Sequence, residues 1–181
     1  MRLERERALL VVVDVQERLF PHIHEHQLLE KELVRLVEGC RELSLPIVVT
    51  EQYTKGIGPT IGSVRDALGD DYRPMEKMCF SCVGDEAFLE AINTLGRQQI
   101  ILCGIESHVC VYQTAIDLLD RGHYVYLVTD AVGSRKASNR DLAFRRIEQA
   151  GGTLTSVEMA LFELLVVSGT DEFRAVSRLV K

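Results

Sequence analysis

Short apolar runs alternate along the chain with segments of helical periodicity, and this alternation constrains the fold more than any other feature. The first run, residues 8–13, is continuous and rich in valine, which is typical of a strand that a parallel sheet covers on both faces. Further strands are predicted at residues 46–50, 99–103, 123–128 and 153–157, with a short element near Lys77. Strands that alternate with helices imply right-handed crossover connections. We therefore predict an α/β protein of three layers (α/β/α), in which helices cover both faces of a doubly wound, mostly parallel six-stranded sheet.

Several residues mark the predicted ends of helices. Asp85 is expected to cap the start of one helix, and the Ser-Asn-Arg-Asp segment at residues 138–141 resembles a capping box that opens another. A helix predicted over residues 109–121 ends at Gly122, which suits the left-handed conformation that often follows a helix. No linker, repeat or low-complexity segment interrupts the pattern. We therefore predict a single domain over residues 1–181.

Composition disfavours several classes of function. The formal net charge is −6, and an acidic surface disfavours nucleic acids and anionic membranes as partners. The apolar run at residues 8–13 is too short to span a bilayer, and the charged residues before it do not resemble a signal peptide. An odd number of cysteines, five, in a chain with an ample apolar core favours reduced thiols. We therefore expect a cytoplasmic protein that binds neither nucleic acid nor a membrane.

Asp14 ends the first apolar run, and open parallel sheets bind their ligands at the carboxyl ends of the strands. An acid at such a junction has two common roles. It caps a helix or braces a loop, or it is a partly buried general base whose pKa depends on burial and on a cationic neighbour. Asp14 taken alone does not separate these roles.

Cys110 lies in the first turn of the predicted helix 109–121, directly after a strand. Free N–H groups and the helix dipole there would favour a thiolate with a lowered pKa, and the same groups would hold a developing oxyanion. The alternative is a small buried thiol that only packs against the sheet. Lys77 lies in a polar region, where a lysine is usually a solvated charge. Near an ionised Asp14 and a thiolate, however, its ammonium group would stabilise both anions.

Several segments together resemble the isochorismatase-like cysteine hydrolases, a family that includes nicotinamidases and carbamoyl-amide hydrolases. The likeness extends from Ala8 to about Leu165, and it is especially close to isochorismatase-domain proteins of unassigned substrate. The matching segments are Val12-Val13-Asp14-Val15-Gln16, Glu51-Gln52-Tyr53 with Gly56-Ile57-Gly58-Pro59-Thr60, Lys77 with Phe80-Ser81, Gly104-Ile105-Glu106-Ser107-His108-Val109-Cys110-Val111, and Thr129-Asp130-Ala131. Each segment alone is weak, but in this order and spacing the set is specific.

The resemblance implies the isochorismatase-like hydrolase fold and a catalytic triad of Asp14, Lys77 and Cys110. In such enzymes the aspartate takes the thiol proton, the sulfur attacks an amide-type carbonyl, and water releases the acid from an acyl-enzyme. The backbone N–H groups of Glu106 and Cys110 would line the oxyanion hole, and the Ile105–Glu106 peptide bond would be cis. The expected reaction is cleavage of a C–N bond in a small amide-type substrate, without a metal or another cofactor.

The substrate pocket is predicted to include Gln16, Phe20, Tyr53 and Phe80. The family assembles as dimers up to octamers, so a homo-oligomer (a dimer, a tetramer or larger) is expected. The apolar segment at residues 159–167 is a candidate surface for packing against another subunit.

The resemblance leaves the substrate and even the reaction open. Nicotinamidases carry an aspartate and two histidines after the second strand, whereas this chain has Glu51-Gln52-Tyr53-Thr54-Lys55-Gly56 and no histidine there, which disfavours nicotinamide. Isochorismatases cleave a vinyl ether, and some relatives do so without the cysteine. The presence of Cys110 favours amide chemistry. The alternatives are vinyl-ether hydrolysis and a catalytically idle oligomeric binding protein of the same fold.

Two other groups of residues could carry chemistry. The histidines at positions 22, 24 and 26 alternate, but they lie where a loop becomes a helix and need not converge on a metal. Cys79 and Cys82 form a C-x-x-C pair without the strand-then-helix context of a redox motif, which favours coincidence. Their nearness to Lys77 leaves a redox role open.

Overall fold

One six-stranded sheet forms the centre of the protein, and the computed structural model describes the whole chain from Met1 to Lys181. The strands are β1 (Ala8–Val13), β2 (Ile47–Gln52), β3 (Met75–Lys77), β4 (Gln99–Ile105), β5 (Tyr124–Gly133) and β6 (Thr153–Thr155). The helices are α1 (His26–Glu42), α2 (Thr54–Ile57), α3 (Gly62–Leu68), α4 (Glu86–Leu95), α5 (Tyr112–Asp120), α6 (Ala137–Gln149), α7 (Val157–Leu165) and α8 (Asp171–Val180).

All neighbouring strands are parallel, in the order β3-β2-β1-β4-β5-β6. The chain first builds the sheet outward from β1 to β3, then crosses to the other side of β1 and builds outward to β6. Helices α1, α3, α7 and α8 pack together in one layer, and α4, α5 and α6 form the other. The predicted three-layer, doubly wound fold is confirmed, with a sheet that is parallel throughout.

The central strands are apolar because both of their faces are covered. Every residue of β1 and of β4 is buried, as the continuous apolar run at residues 8–13 predicts. These strands lie within one continuous core of 49 buried apolar residues. None of the helices has the length and apolar character needed to cross a bilayer.

Some predicted helix ends are confirmed and others are wrong. Asp85 caps α4 by accepting a hydrogen bond from the N–H of Phe88 at 3.0 Å, and Gly122 follows the end of α5 with φ +84°. The predicted capping box at residues 138–141 does not form, because α6 begins earlier, at Ala137, and no side chain caps it. Its expected acidic member, Asp141, instead accepts a hydrogen bond from Arg140.

The segment around Cys110 departs from the predicted helix 109–121. Residues Ser107–Val111 form a π-helical turn, in which the N–H of Val111 donates to the carbonyl of Glu106 at 3.2 Å, five residues earlier. The α-helix begins only at Tyr112. Cys110 therefore lies in a wide turn before α5 and not in the first turn of an α-helix.

Candidate active site

The ends of β1 and β4 lie side by side at the point where the strand order reverses, which is where open α/β sheets bind their ligands. Their close approach depends on Gly104, which has φ +117°. A Cβ atom at this position would lie 2.1 Å from the carbonyl oxygen of Val13. Glycine thus lets the end of β4 pass directly beside the end of β1, and the chain continues into the turn that carries Cys110.

A buried ion pair joins the first two predicted site residues. Asp14 follows β1 in the left-handed conformation, with φ +50°, and its N–H donates to the carbonyl of Thr50. Lys77 ends β3, two strands away. Its Nζ atom donates to Oδ2 of Asp14 at 2.7 Å, and the two side chains are 1% and 2% exposed. Both charges are therefore held out of water, where each depends on the other.

Strand β2 lies between β1 and β3 and contributes two more side chains to this cluster. The hydroxyl of Thr50 donates to Oδ1 of Asp14 at 2.8 Å, and Oε1 of Gln52 accepts from Nζ of Lys77 at 2.8 Å. Residues two apart on a strand point to the same face, so both reach the same side of the sheet. Reasoning from the sequence missed both residues. Their alternation at the carboxyl end of a strand beside β1 is the signal that could have found them.

The ammonium group of Lys77 is charged and has hydrogen-bond partners for all of its hydrogens. Besides Asp14 and Gln52, its ammonium group approaches the backbone carbonyls of Cys79 at 3.2 Å and Phe80 at 3.1 Å. Burial alone would lower the pKa of Lys77, but the negative charge of Asp14, with smaller contributions from nearby thiols, outweighs burial and raises it. The segment after β3 thus curls its backbone over the ammonium group.

The Cys110 thiol is buried, at 7% exposure, and lies close enough to Asp14 and Lys77 to be affected by both charges. Burial is the main influence and raises the pKa of Cys110 well above its usual value. The carboxylate of Asp14 adds to this increase, and the cation of Lys77 opposes it. The expectation of a lowered pKa is therefore wrong: in a dry π-helical turn, desolvation and a neighbouring anion outweigh any helix dipole. The resting group is a neutral thiol beside a carboxylate.

Backbone groups that could hold an oxyanion lie in the same turn. The N–H of Glu106 donates to no acceptor in the chain, and the Ile105–Glu106 peptide bond is cis. The side chain of Glu106 is held by Arg135, whose Nε donates to Oε1 at 3.0 Å. Ser134 hydrogen-bonds with the Ser107 hydroxyl and lies 2.9 Å from Nδ1 of His108, so the loop after β5 clamps this turn.

The four predicted pocket residues divide into two pairs. Gln16 is fully buried, and its amide binds the backbone of Gln52 and Gly58, so it braces the loop after β2 and has no free group for a substrate. Phe20 is 3% exposed and packs edge-on against His26 in the core. By contrast, Tyr53 and Phe80 are exposed and follow β2 and β3, on the same edge of the sheet as Lys77. Of the four residues, only Tyr53 and Phe80 expose their side chains at this edge.

The other candidate groups do not gather into a site. All five cysteines are free thiols, and Cys82 is fully buried next to Thr50. No group of three or more His, Cys, Asp or Glu side chains is placed to hold a metal ion. A large open cleft, of about 1060 Å³, lies near the amino ends of the strands, where Leu45, Pro46 and Arg97 line it. It is therefore on the rim opposite the cluster of Asp14, Lys77 and Cys110.

Comparison with known proteins identifies the family of the chain. The isochorismatase domain model matches residues 8–159. The secreted isochorismatase effector Isc1 of Phytophthora sojae is 38% identical over 183 residues, which cover 99% of this chain and 87% of that protein. The structure of MAR1 ribonuclease from Caenorhabditis elegans matches with a TM-score of 0.93 at 36% identity. The match covers 99% of this chain and 92% of that protein. The Escherichia coli YcaC protein, described as an octameric hydrolase of unknown specificity, shares the fold with a TM-score of 0.93 at 23% identity, over 99% of this chain and 90% of its own. The chain belongs to the isochorismatase family of hydrolases.

Proposed function

We propose that the protein is a cysteine hydrolase that cleaves the C–N bond of a small amide-type substrate. The observation that carries this proposal is the buried thiol of Cys110 near the buried Asp14–Lys77 pair, at the edge of the sheet where the strand order reverses. A thiol with a raised pKa is a poor nucleophile on its own, so it needs a base in contact with it. Asp14 is proposed as that base, because its carboxylate lies near enough to raise the pKa of the Cys110 thiol.

The first half of the reaction forms an acyl-enzyme. As the sulfur of Cys110 bonds to the carbonyl carbon of the substrate, its proton passes to Asp14 and the carbonyl electron pair moves to oxygen. The N–H groups of Glu106 and Cys110 are proposed to hold this oxyanion. When the oxyanion collapses, the C–N bond breaks, and Asp14 returns the proton to the departing nitrogen.

The second half restores the thiol. A water molecule attacks the thioester carbon and gives a proton to Asp14, and a second tetrahedral oxyanion forms in the same place. Its collapse breaks the C–S bond, and the sulfur takes the proton back from Asp14 as the acid leaves. Lys77 keeps a positive charge beside Asp14 throughout, because its raised pKa prevents it from losing a proton at neutral pH.

Two other reactions are tested alongside amide cleavage. Vinyl-ether hydrolysis needs the acid but not the sulfur, so a Cys110→Ala variant would retain much of it. RNA cleavage is raised by the name of the Caenorhabditis elegans relative and by no residue of the site. A formal net charge of −6 opposes binding of a polyanion.

The deciding experiment is a turnover screen of the purified protein against small primary amides, N-carbamoyl compounds, isochorismate and RNA. Amide cleavage is supported if an amide or N-carbamoyl compound is hydrolysed, if Cys110→Ala and Asp14→Asn both abolish this, and if mass spectrometry detects an acyl group on Cys110. Cys40→Ala is the matched control, because Cys40 is a buried thiol far from Asp14 in the helix α1 layer. Turnover of isochorismate that survives Cys110→Ala would replace the amide reaction with ether hydrolysis. No turnover of any substrate would favour an idle binding protein.

A homo-oligomer is part of the same proposal. Four large apolar side chains in and after α7 are between 37% and 61% exposed: Met159, Phe162, Val166 and Val167. Light scattering of the purified protein tests this, and a Met159→Glu, Phe162→Glu double variant should dissociate the assembly.

Location in the cytoplasm stays a prediction, and the Phytophthora sojae relative is named as a secreted protein.

A further inference from the structure

A second thiol, that of Cys82, and the hydroxyl of Thr50 lie next to Oδ1 of Asp14, the carboxylate oxygen that does not accept from Lys77. The Oγ1 atom of Thr50 is 2.8 Å from Oδ1 of Asp14 and 3.6 Å from Sγ of Cys82. All three residues are at most 1% exposed. The Cys82 N–H donates to the hydroxyl of Thr114 at 2.9 Å, which fixes the position of the thiol against α5. Asp14, Thr50 and Cys82 therefore form a short chain of hydrogen-bonding groups without access to water.

The two oxygens of Asp14 differ in what they can do with a proton. Oδ2 accepts from the ammonium group of Lys77, which has no lone pair and repels an added proton. Oδ1 faces a hydroxyl, which can donate or accept. A proton received from Cys110 is therefore best placed on Oδ1, provided that Thr50 turns from donor to acceptor.

The Thr50 hydroxyl can change from donor to acceptor toward Asp14 only if its own hydrogen is donated to another group. The sulfur of Cys82 is within reach, and either atom of that pair can be the donor. While Asp14 is ionised, Cys82 can donate to Thr50, and Thr50 to Asp14. Once Asp14 is protonated, both hydrogen bonds can reverse. Burial raises the pKa of Cys82 to about 11, so its hydrogen is available at neutral pH.

We propose that Thr50 and Cys82 are positioning residues that form a reversible relay, which satisfies Oδ1 of Asp14 both before and after it takes a proton. This inference rests on the proposed role of Asp14 as general base. The relay neither touches the substrate nor loses a proton. It lowers the cost of protonating a buried carboxylate, because the Thr50 hydrogen is paired at both stages and the new carboxyl hydrogen finds an acceptor in Thr50.

The test follows the titration of the Asp14 carboxyl carbon by NMR in the full-length protein, with Asp14→Asn used to assign the signal. Thr50→Val removes a charge-assisted hydrogen bond to the ionised form, so the midpoint should rise by about one pH unit. Cys82→Ala removes a weak S–H donor from the ionised form, but from the protonated form it removes the acceptor of the Thr50 hydrogen, which is then buried without a partner. The second loss is the larger, so the midpoint should fall by roughly a few tenths of a unit. Thr50→Ser and Cys82→Ser keep both hydrogen-bonding functions and should restore the wild-type midpoint.

The other groups that act on this carboxylate are Lys77 from β3 and Cys110 from the π-helical turn. Both are unchanged in the four variants. Thr60→Val is the matched control, because the buried Thr60 hydroxyl makes an equivalent hydrogen bond, at 2.7 Å, to a different carboxylate, that of Glu51. It should leave the Asp14 midpoint where it is. Opposite shifts for Thr50→Val and Cys82→Ala support the relay. Shifts of the same sign, or no shift for Cys82→Ala, overturn it.

Kinetics with a substrate from the turnover screen give a second readout. Thr50→Val should lower kcat about ten-fold and change KM less than about two-fold, because Thr50 acts through Asp14 and not on the substrate. Thr50→Ser should recover the rate. If no substrate is turned over, the proposed function fails while the NMR titration still decides on the relay. If turnover is found and the opposite shifts are absent, the relay alone fails.

Discussion

The Nζ atom of Lys77 lies 2.7 Å from Oδ2 of Asp14, and neither side chain is more than 2% exposed. This contact joins the outer strand β3 to the central strand β1 across β2. A buried pair of this kind does not by itself stabilise a protein, because desolvation offsets the attraction of the charges. Removing one member, however, leaves the other charge buried and unpaired.

Lys77→Met removes the cation and keeps much of the side-chain volume. We expect the free energy of unfolding to fall by about 3–5 kcal/mol, as for other broken buried pairs. We also expect kcat/KM to fall at least about a hundred-fold, because Asp14 loses its fixed orientation. Urea unfolding and steady-state kinetics measure these effects. In the control Arg65→Met, the lost ion pair with Glu17 is solvent-exposed, so the change should stay within about 1 kcal/mol. Wild-type stability in Lys77→Met would contradict the buried pair.

Cys110 should react slowly with iodoacetamide at neutral pH, more slowly than N-acetylcysteine. Burial and the Asp14 carboxylate raise the pKa of this thiol above the reference value of 9.0, so the thiolate fraction is small until the pH is strongly alkaline. The modification rate at Cys110, followed by peptide mass spectrometry, should therefore keep rising above pH 9. Rapid labelling at neutral pH would show instead that the thiol rests as an anion. Slow modification of Cys110 does not indicate a catalytically idle protein. A thiol that loses its proton to a base only during the reaction with the substrate also reacts slowly with iodoacetamide.

The stability of the fold should decline in alkaline solution. Burial raises the pKa of Cys40 from 9.0 to about 12, and that of Cys103 well above 9.0. Between pH 9 and pH 12 the Cys40 thiol of the unfolded chain ionises, while that of the folded protein keeps its proton. The stabilisation present below pH 9 is therefore lost as the pH rises toward 12. Each such group contributes a slope of about 1.4 kcal/mol per pH unit.

Cys40→Ala isolates one of these contributions. The free energy of unfolding, measured in urea at several pH values, should fall less steeply above pH 9 than in the wild type, by about 1.4 kcal/mol per pH unit. Cys79→Ala is the comparison, since it removes a thiol that is only partly buried. Equal slopes in Cys40→Ala and the wild type would contradict this account.

Gly104→Ala should disrupt the site and the sheet together. The added Cβ would lie 2.1 Å from the Val13 carbonyl, at a φ of +117° that disfavours side chains. A loss of several kcal/mol is expected, because two backbones in the core would have to separate. Gly151→Ala is the matched control: its φ is +103°, but nothing lies within 4 Å, so only the conformational cost of about 1–2 kcal/mol remains. Thermal unfolding of both variants makes the comparison, and equal losses would show that the contact with Val13 is unimportant.

The fold and the positions of Asp14 and Cys110 could be predicted because each depends on a strong local signal. The apolar run at residues 8–13 identifies the central strand, and the rule for open parallel sheets places the residues after each strand on one edge. The short strand β3 has only three residues, and no periodicity reveals it. Lys77 was recognised only through the family resemblance.

The features that the sequence could not predict depend on the three-dimensional environment of the residues concerned. The protonation state of Cys110 follows from its burial and from the nearness of Asp14, neither of which its sequence neighbours encode. The π-helical turn at Ser107–Val111 looks like ordinary helix in the sequence, because the difference is a single hydrogen bond from Val111 to Glu106. Gln16 was expected in the pocket, but its amide holds the backbone of the loop after β2.

The resting site carries no net charge, because the carboxylate and the ammonium group cancel and the thiol is neutral. An uncharged amide can therefore enter without being attracted or repelled over a distance, and its rate of capture should depend little on ionic strength. An anionic compound would instead meet the field of a chain with net charge −6, which added salt screens. The dependence of kcat/KM on salt concentration should therefore show whether the substrate is an uncharged amide or an anion.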